Sequence, residues 1–187
     1  MSSNYPYIVF MKVGLHAGED FASIIQRKKQ EIADTESAFW GYGGMVCHPL
    51  TQVRPFAQRV ISTGAHPFLL MNVIKGRAGF PSKGAVRASE YTIDRKNWFA
   101  VPDGVCVTGS KNALVIEDLQ EVCLDLSLID YEVAVGPNKG RNAVCYLQGR
   151  TDKACLELTV DRKPGTPLHT ISYVARLCEP WAVVLRS

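Results

Sequence analysis

The chain has 187 residues, of which 47% are hydrophobic and 21% charged, and its formal net charge is +3. This length and composition predict one folded domain over residues 1–187 and exclude wholesale disorder. The apolar runs are shorter than the roughly 18 residues that cross a bilayer, and the N-terminus shows no secretion signal, so we expect a cytoplasmic protein without a membrane partner.

Six cysteines are spread singly along the chain, and four of them lie in apolar, strand-like runs. A reduced thiol in such a run acts as a small hydrophobic side chain. No C-x-x-C pair is present to begin a zinc site. The sequence therefore predicts reduced thiols, no metal and no cofactor.

The N-terminal third alternates apolar strand patterns with helical ones. In chain order we predict a buried strand over 5–13, an amphipathic helix over 20–33, a short strand over 37–42, a helix that opens at Pro49 and closes at Gly64, and a buried strand over 66–74. Pro55 lies inside the second helical pattern, so that helix either begins only there or is kinked.

The later part of the chain changes to alternating apolar and polar residues, which is the pattern of half-exposed strands. The alternation runs over 120–128, 155–161 and 169–177, and turn-forming clusters separate these stretches. We therefore predict an α+β fold, in which an N-terminal β-α-β-α-β segment precedes a mostly antiparallel sheet with two helices packed on one face.

The segment SAFWGYGGMVCHPL, residues 37–50, carries the first candidate ligand site. The rings of Trp40 and Tyr42 could stack on a base, while the amides of Gly43 and Gly44 approach a phosphate or carbonyl. The alternative is structural, because a tryptophan between a strand and a loop is commonly part of the core.

Cys47 and His48 follow at the predicted start of the second helix, where the positive end of the helix dipole favours a thiolate or a bound anion. Cys47 is a candidate nucleophile, and His48 a candidate catalytic or ligand-binding residue. Neighbouring side chains here point apart, so the base for Cys47 would be a histidine from elsewhere in the chain. The alternative is a buried cysteine beside a capping histidine.

Two further loops supply candidate ligand residues. His16 lies in a glycine turn between a strand and a helix, and the stretch 75–87 holds Lys75, Arg77, Lys83 and Arg87 without an acidic residue. Such a basic loop could close over a phosphorylated ligand, and it could equally be a solvated turn. Neither G-x-x-x-x-G-K-[ST] nor G-x-G-x-x-G occurs.

Together these features predict a non-catalytic module that binds a nucleotide or another phosphorylated small molecule, with the segments 14–18, 40–49 and 75–87 around one cavity. Such a module could sense or sequester a signalling nucleotide, as in phage counter-defence. An enzyme acting on a nucleotide or modified base, through Cys47 or a histidine, is one alternative. A protein-interaction module with an exposed aromatic loop is another. The small net charge and the acidic stretch 116–132 argue against extended nucleic acid as a partner. The formation of a homo-oligomer is compatible with the sequence.

Overall fold

The computed structural model describes residues 4–14, 19–43, 47–74, 86–148, 151–159 and 168–187. Within these ranges the chain forms three α-helices and nine β-strands, and the strands belong to one mixed sheet. The predicted α+β class is therefore confirmed.

The elements follow one another in the predicted N-terminal order, strand, helix, strand, helix, strand. The strands are β1 Tyr7–Val13, β2 Ala38–Tyr42, β3 Phe68–Val73, β4 Glu90–Thr92, β5 Phe99–Ala100, β6 Asn112–Ser127, β7 Tyr131–Val133, β8 Lys153–Leu158 and β9 Leu168–Arg186. The helices are α1 Phe21–Thr35, α2 Leu50–Ser62 and α3 Ala143–Tyr146. Sequence reasoning missed β4, β5, β7 and α3, because elements of two to four residues are too short to show a period.

Helix α1 starts where the sequence indicates. The carboxylate of Asp20 accepts hydrogen bonds from the backbone N–H groups of Ala22 and Ser23, at 2.9 and 3.2 Å, and so caps the first turn. The helix ends at Glu36, which has the left-handed backbone conformation common at helix C-termini.

Helix α2 begins at Leu50, directly after Pro49, and continues through Pro55 to Ser62. The helix therefore begins before Pro55, and the alternative of a start at Pro55 is wrong. Proline lacks a backbone N–H, so the carbonyl one turn earlier loses its helical partner, and Pro55 lies on the exposed side of the helix where water can replace that bond. Gly64 follows the helix with a φ of +80°.

The chain divides into two compact units, and a single domain over residues 1–187 stays a prediction. The first unit comprises Met1–Val13, Gly44–Val73 and Gln120–Arg176. Its strands are hydrogen-bonded in the order β9-β3-β1-β8-β7, and only the pairing of β1 with β3 is parallel. Its core includes Ile8, Phe10, Leu70, Leu126, Leu128, Tyr131, Leu156 and Ile171.

The second unit comprises Gly14–Gly43, Ile74–Leu119 and Leu177–Ser187. Here β2 pairs with β6, and β4 pairs with both β9 and β5, all antiparallel. Its core includes Phe39, Ala88, Val105, Val107, Val115, Val183 and Leu185. Strands β6 and β9 are long enough to supply residues to both units.

Candidate functional site

The two aromatic rings of the predicted binding loop belong to the protein core. Trp40 and Tyr42 are both on β2, and their exposed fractions are only 5% and 2%. The ring of Phe21, at the start of α1, meets the Trp40 ring edge-on with 6.1 Å between centroids. This corrects the expectation of an exposed aromatic loop, because these rings pack inside the protein and do not present a face to solvent.

The glycine between these rings has a packing role. A Cβ atom on Gly41 would lie 2.6 Å from Oγ of Ser110 and 3.3 Å from its Cβ. Only a residue without a side chain therefore lets β2 approach Ser110 so closely. Gly43 leaves more space, since its nearest neighbour, the Asn112 side-chain amide, lies 3.9 Å from the equivalent position.

His48 lies in the first unit and is 4% exposed. Its Nδ1 accepts a hydrogen bond of 2.9 Å from the backbone N–H of Cys155 on β8. Its ring stacks on Tyr146 with centroids 5.3 Å apart and planes 26° from parallel. Because Nδ1 is an acceptor, the neutral ring carries its proton on Nε2. His48 thus occupies an interior position and does not face solvent.

The groups around His48 are held in their neutral forms. Burial lowers the pKa of His48 to about 4. Burial, together with the nearby Cys47, raises the pKa of the Cys155 thiol, and burial likewise raises that of Tyr146. A histidine with so low a pKa is a weak base at neutral pH, so this geometry favours a structural role for His48.

Of the remaining predicted site residues that the structure describes, Cys47 lies near Cys155 and Tyr146, the two partners of His48. Arg87, in the second unit, is exposed, and its guanidinium donates a hydrogen bond of 2.9 Å to the Val105 carbonyl. His16, Gly44, Lys75, Arg77 and Lys83 lie outside the described residues. Their predicted roles in ligand binding, and the single cavity for the three segments, therefore stay predictions.

The first unit contains a group of charged residues that sequence reasoning missed. It lies where β1 and β3, the parallel pair, reach their carboxyl ends, and we call it the carboxyl-edge cluster. Val13 and Val73 are paired at this end, as are Lys12 and Asn72. The cluster consists of Lys12, Asn72, Asp152, Lys153 and His169.

Short polar contacts fix the positions of these residues. Nζ of Lys12 donates to the Leu147 carbonyl at the end of α3, at 2.8 Å, and the Lys12 backbone N–H donates to the Asp152 carbonyl, also at 2.8 Å. Nζ of Lys153 lies 2.9 Å from the Asp152 carboxylate. The side-chain amide of Asn72 donates to the Thr170 carbonyl at 2.7 Å.

His169 completes the cluster on the side of β9. Its ring lies edge-on to Phe10, with 5.8 Å between centroids. Burial lowers the pKa of His169, and the positive charge of Lys12 lowers it further. Lys153 is buried and the other four residues are half-buried. Because Lys153 pairs with Met11, the neighbour of Lys12 on β1, the two lysine side chains lie on opposite faces of the sheet, and Lys12 is the positive charge on the face of His169.

This arrangement suits an anion more than a cation. Each lysine ammonium has three donor hydrogens, and crevices outside the carboxyl ends of parallel strands are common ligand sites in open α/β sheets. Lys12 in the sequence is merely the polar end of an apolar run, and Asp152 and His169 are far from it along the chain. Only the strand register brings them together.

No family model, no curated protein and no solved structure matches the chain. In the part of the chain that the structure describes, no three histidine, cysteine or acidic side chains are grouped so that they could hold a metal ion. Among those same residues, no helix combines the length and the apolar character that a membrane span requires.

Proposed function

We propose that this protein binds a nucleotide or another phosphorylated small molecule at the carboxyl-edge cluster, and that it leaves the ligand chemically unchanged. A binding protein of this kind would sense or sequester its ligand. Phosphorylated ligands of this class occur in the cytoplasm, which is where the sequence predicts the protein to lie.

The observation that carries the proposal is the pairing of Val13 with Val73 at the ends of two parallel strands. The chain leaves both strands at the same edge of the sheet, and two of the three sequence segments predicted to contact the ligand, 14–18 and 75–87, follow these residues in the sequence. Lys12 stands at that edge.

The charges of the cluster support an anionic ligand. Lys12 is half-buried and Lys153, on the other face of the sheet, is 6% exposed. A phosphate would supply charged acceptors to the Lys12 ammonium group, and charge-assisted hydrogen bonds in a half-buried place are stronger than those at an exposed surface. Asp152 opposes this attraction and limits the affinity.

The test is isothermal titration calorimetry with inorganic phosphate, nucleoside mono- and diphosphates and cyclic nucleotides. We expect Lys12→Met to weaken the binding of the best ligand about tenfold, and Asp152→Asn to strengthen it, because the two substitutions change the local charge in opposite directions. Asn at 152 retains an oxygen that can accept from Lys153. Lys29→Met, which removes an exposed lysine from α1, is the matched control and should leave the affinity unchanged.

Two results would refute the proposal. One is the absence of binding by every member of the panel at about 1 mM. The other is an affinity that responds equally to Lys12→Met and Lys29→Met. Mass spectrometry of the ligand after incubation separates the binding module from an enzyme, since an altered mass would establish turnover.

A further inference from the structure

The His169 imidazole and the Lys12 ammonium group belong to the same face of the first unit's sheet. The His169 ring meets the ring of Phe10 edge-on, with 5.8 Å between centroids. Phe10 and Lys12 are two residues apart on β1, and side chains with this spacing point to the same face of a strand. Phe10 is fully buried, whereas Lys12 and His169 are half-buried. The two basic groups therefore lie together above the apolar core.

The strands around His169 differ in the charge that they bring to it. Among the residues that the structure describes, Lys12 of β1 is the charged group whose field acts on the imidazole. Asn72 of β3 is neutral, and its amide donates to the Thr170 carbonyl at 2.7 Å. Asp125 of β6 accepts from the Thr170 hydroxyl at 3.2 Å and is exposed, so water screens its charge.

Strand β8 and the residue before it add one charge of each sign. The Asp152 carboxylate lies 2.9 Å from Nζ of Lys153, whose side chain is on the other face of the sheet. Nζ of Lys12 donates to the Leu147 carbonyl, which is a neutral acceptor. On the face of His169 the electrostatic environment is therefore set chiefly by the Lys12 ammonium group.

An anion at this place changes the protonation of His169. Burial lowers the pKa of His169, and the positive charge of Lys12 lowers it further. An anion bound to the Lys12 ammonium group brings negative charge to the same face, and a nearby opposite charge favours the protonated imidazole. Anion binding and proton binding thus strengthen one another, because linked equilibria are reciprocal.

We infer that the carboxyl-edge cluster takes a dianionic group, such as a terminal phosphate monoester, and that His169 takes up a proton as the dianion binds. This inference rests on the proposed function and specifies its ligand. The Lys12 ammonium group and the His169 imidazolium together match the two negative charges. The proton comes from solvent and returns to it when the ligand dissociates, so the ligand is left unchanged.

The charge of the ligand then determines its affinity. A phosphate monoester carries up to two negative charges at neutral pH. The phosphodiester of a cyclic nucleotide carries one, so it offsets the Lys12 charge but induces less protonation of His169. We therefore expect ligands with a terminal phosphate to bind more tightly than cyclic nucleotides.

Isothermal titration calorimetry with sulfate and methyl sulfate tests the inference. Neither anion titrates near neutral pH, whereas a phosphate monoester itself titrates near about pH 6. At about pH 6.5, titrations in buffers of different ionisation enthalpy give the number of protons taken up. We expect about half a proton for sulfate and much less for methyl sulfate, which is a monoanion. Sulfate should bind about fivefold more tightly at about pH 6 than at about pH 8.

Two variants assign the proton to its residue. His169→Asn removes the titrating ring, so it should abolish the proton uptake and weaken sulfate binding about fivefold at about pH 6. His66→Asn removes an exposed histidine from the same unit and should retain both properties of the wild type. His48 does not contribute in this range, because burial lowers its pKa to about 4.

The outcomes separate this inference from the proposed function. Sulfate that binds the wild type without proton uptake overturns the inference, whether or not His169→Asn folds. Uptake that persists in His169→Asn, or equal uptake with sulfate and methyl sulfate, overturns it as well. So does a phosphorylated ligand that binds when sulfate does not. In each of these cases the proposed function stands, whereas the absence of binding by every anion overturns both.

Discussion

Just beyond the end of β7, the imidazole of His48 takes the place of a strand carbonyl as the hydrogen-bond acceptor for β8. The carbonyl of Cys155 accepts from the Ala134 N–H at 2.9 Å, which continues the pairing with β7, but the N–H of Cys155 donates to His48. Without this acceptor a buried N–H would be left unpaired, at a cost of about 1 to 3 kcal/mol. This accounts for a histidine in an otherwise apolar setting.

The low pKa of His48 predicts a loss of stability in mild acid. The unfolded chain takes up a proton near pH 6.5, whereas the folded chain takes it up only near pH 4. The contribution is therefore fully present above pH 6.5 and is lost as the pH falls towards 4, a total of about 3 kcal/mol. His48→Gln keeps an acceptor that does not titrate, so urea unfolding at a series of pH values should show a shallower acid loss in this variant.

The control for this experiment is His66→Gln, which removes an exposed histidine from the same unit. It should retain the acid sensitivity of the wild type. If wild type and His48→Gln lost stability equally between about pH 7 and pH 4, the burial of a neutral His48 would be contradicted.

On helix α1, the buried face includes a charged pair as well as apolar residues. Nζ of Lys28 lies 3.0 and 2.9 Å from the two carboxylate oxygens of Glu31, and it also donates to the Cys106 carbonyl at 2.6 Å. Glu31 in turn accepts from the Cys106 N–H at 3.1 Å. The pair thus connects α1 to one loop residue and satisfies both of its backbone groups.

Removing both members of this pair should cost less than the sum of the two single removals. Burial lowers the pKa of Lys28, and Glu31 opposes that shift, so Glu31→Gln leaves an ammonium without its counterion. We expect Glu31→Gln to reduce the free energy of unfolding by about 3 kcal/mol. The double variant Lys28→Met/Glu31→Gln should lose less than the sum of the single losses, by roughly 2 kcal/mol.

Chemical denaturation of the wild type, Lys28→Met, Glu31→Gln and the double variant measures the coupling energy between the two residues directly. Lys29→Met, at the next position on α1 but exposed, should change stability by less than about 0.5 kcal/mol. Additive losses from the two single substitutions would show that Lys28 and Glu31 do not act as a pair.

For the whole molecule, ligand binding at the carboxyl-edge cluster should raise thermal stability. A ligand that binds only the folded chain contributes about 2.7 kcal/mol at a concentration one hundred times its Kd, which corresponds to roughly 5 to 10 °C for a chain of this size. We expect the best phosphorylated ligand to raise Tm by this amount, measured by calorimetry. The matching nucleoside, which lacks phosphate, should produce a much smaller shift.

Lys12→Met offers the control for this shift. Its own Tm will fall because the bond to the Leu147 carbonyl is lost, but the change caused by ligand, compared within the variant, should nearly disappear. A full ligand-induced shift in Lys12→Met would place the ligand elsewhere.

The order of the N-terminal elements and the α+β class were predictable because long amphipathic or apolar runs reveal themselves through their period. The start of α1 was predictable from Asp20, and the alternation over 120–128 correctly placed Leu126 and Leu128 inside and Asp125 outside. These features depend on neighbours within a few residues of each other.

Only the tertiary structure decided three features of this protein. They are the interior position of Trp40, the hydrogen bond from the Cys155 N–H to His48, and the grouping of Lys12 with Asp152 and His169. Each depends on residues distant in the chain: Phe21 of α1 beside Trp40, Cys155 of β8 beside His48, and the register of three strands around Lys12. A local pattern indicates that a side chain is buried or exposed on its own element, but it does not specify which partner strand or helix will cover that face. That choice is made by long-range packing, and the candidate site follows from it.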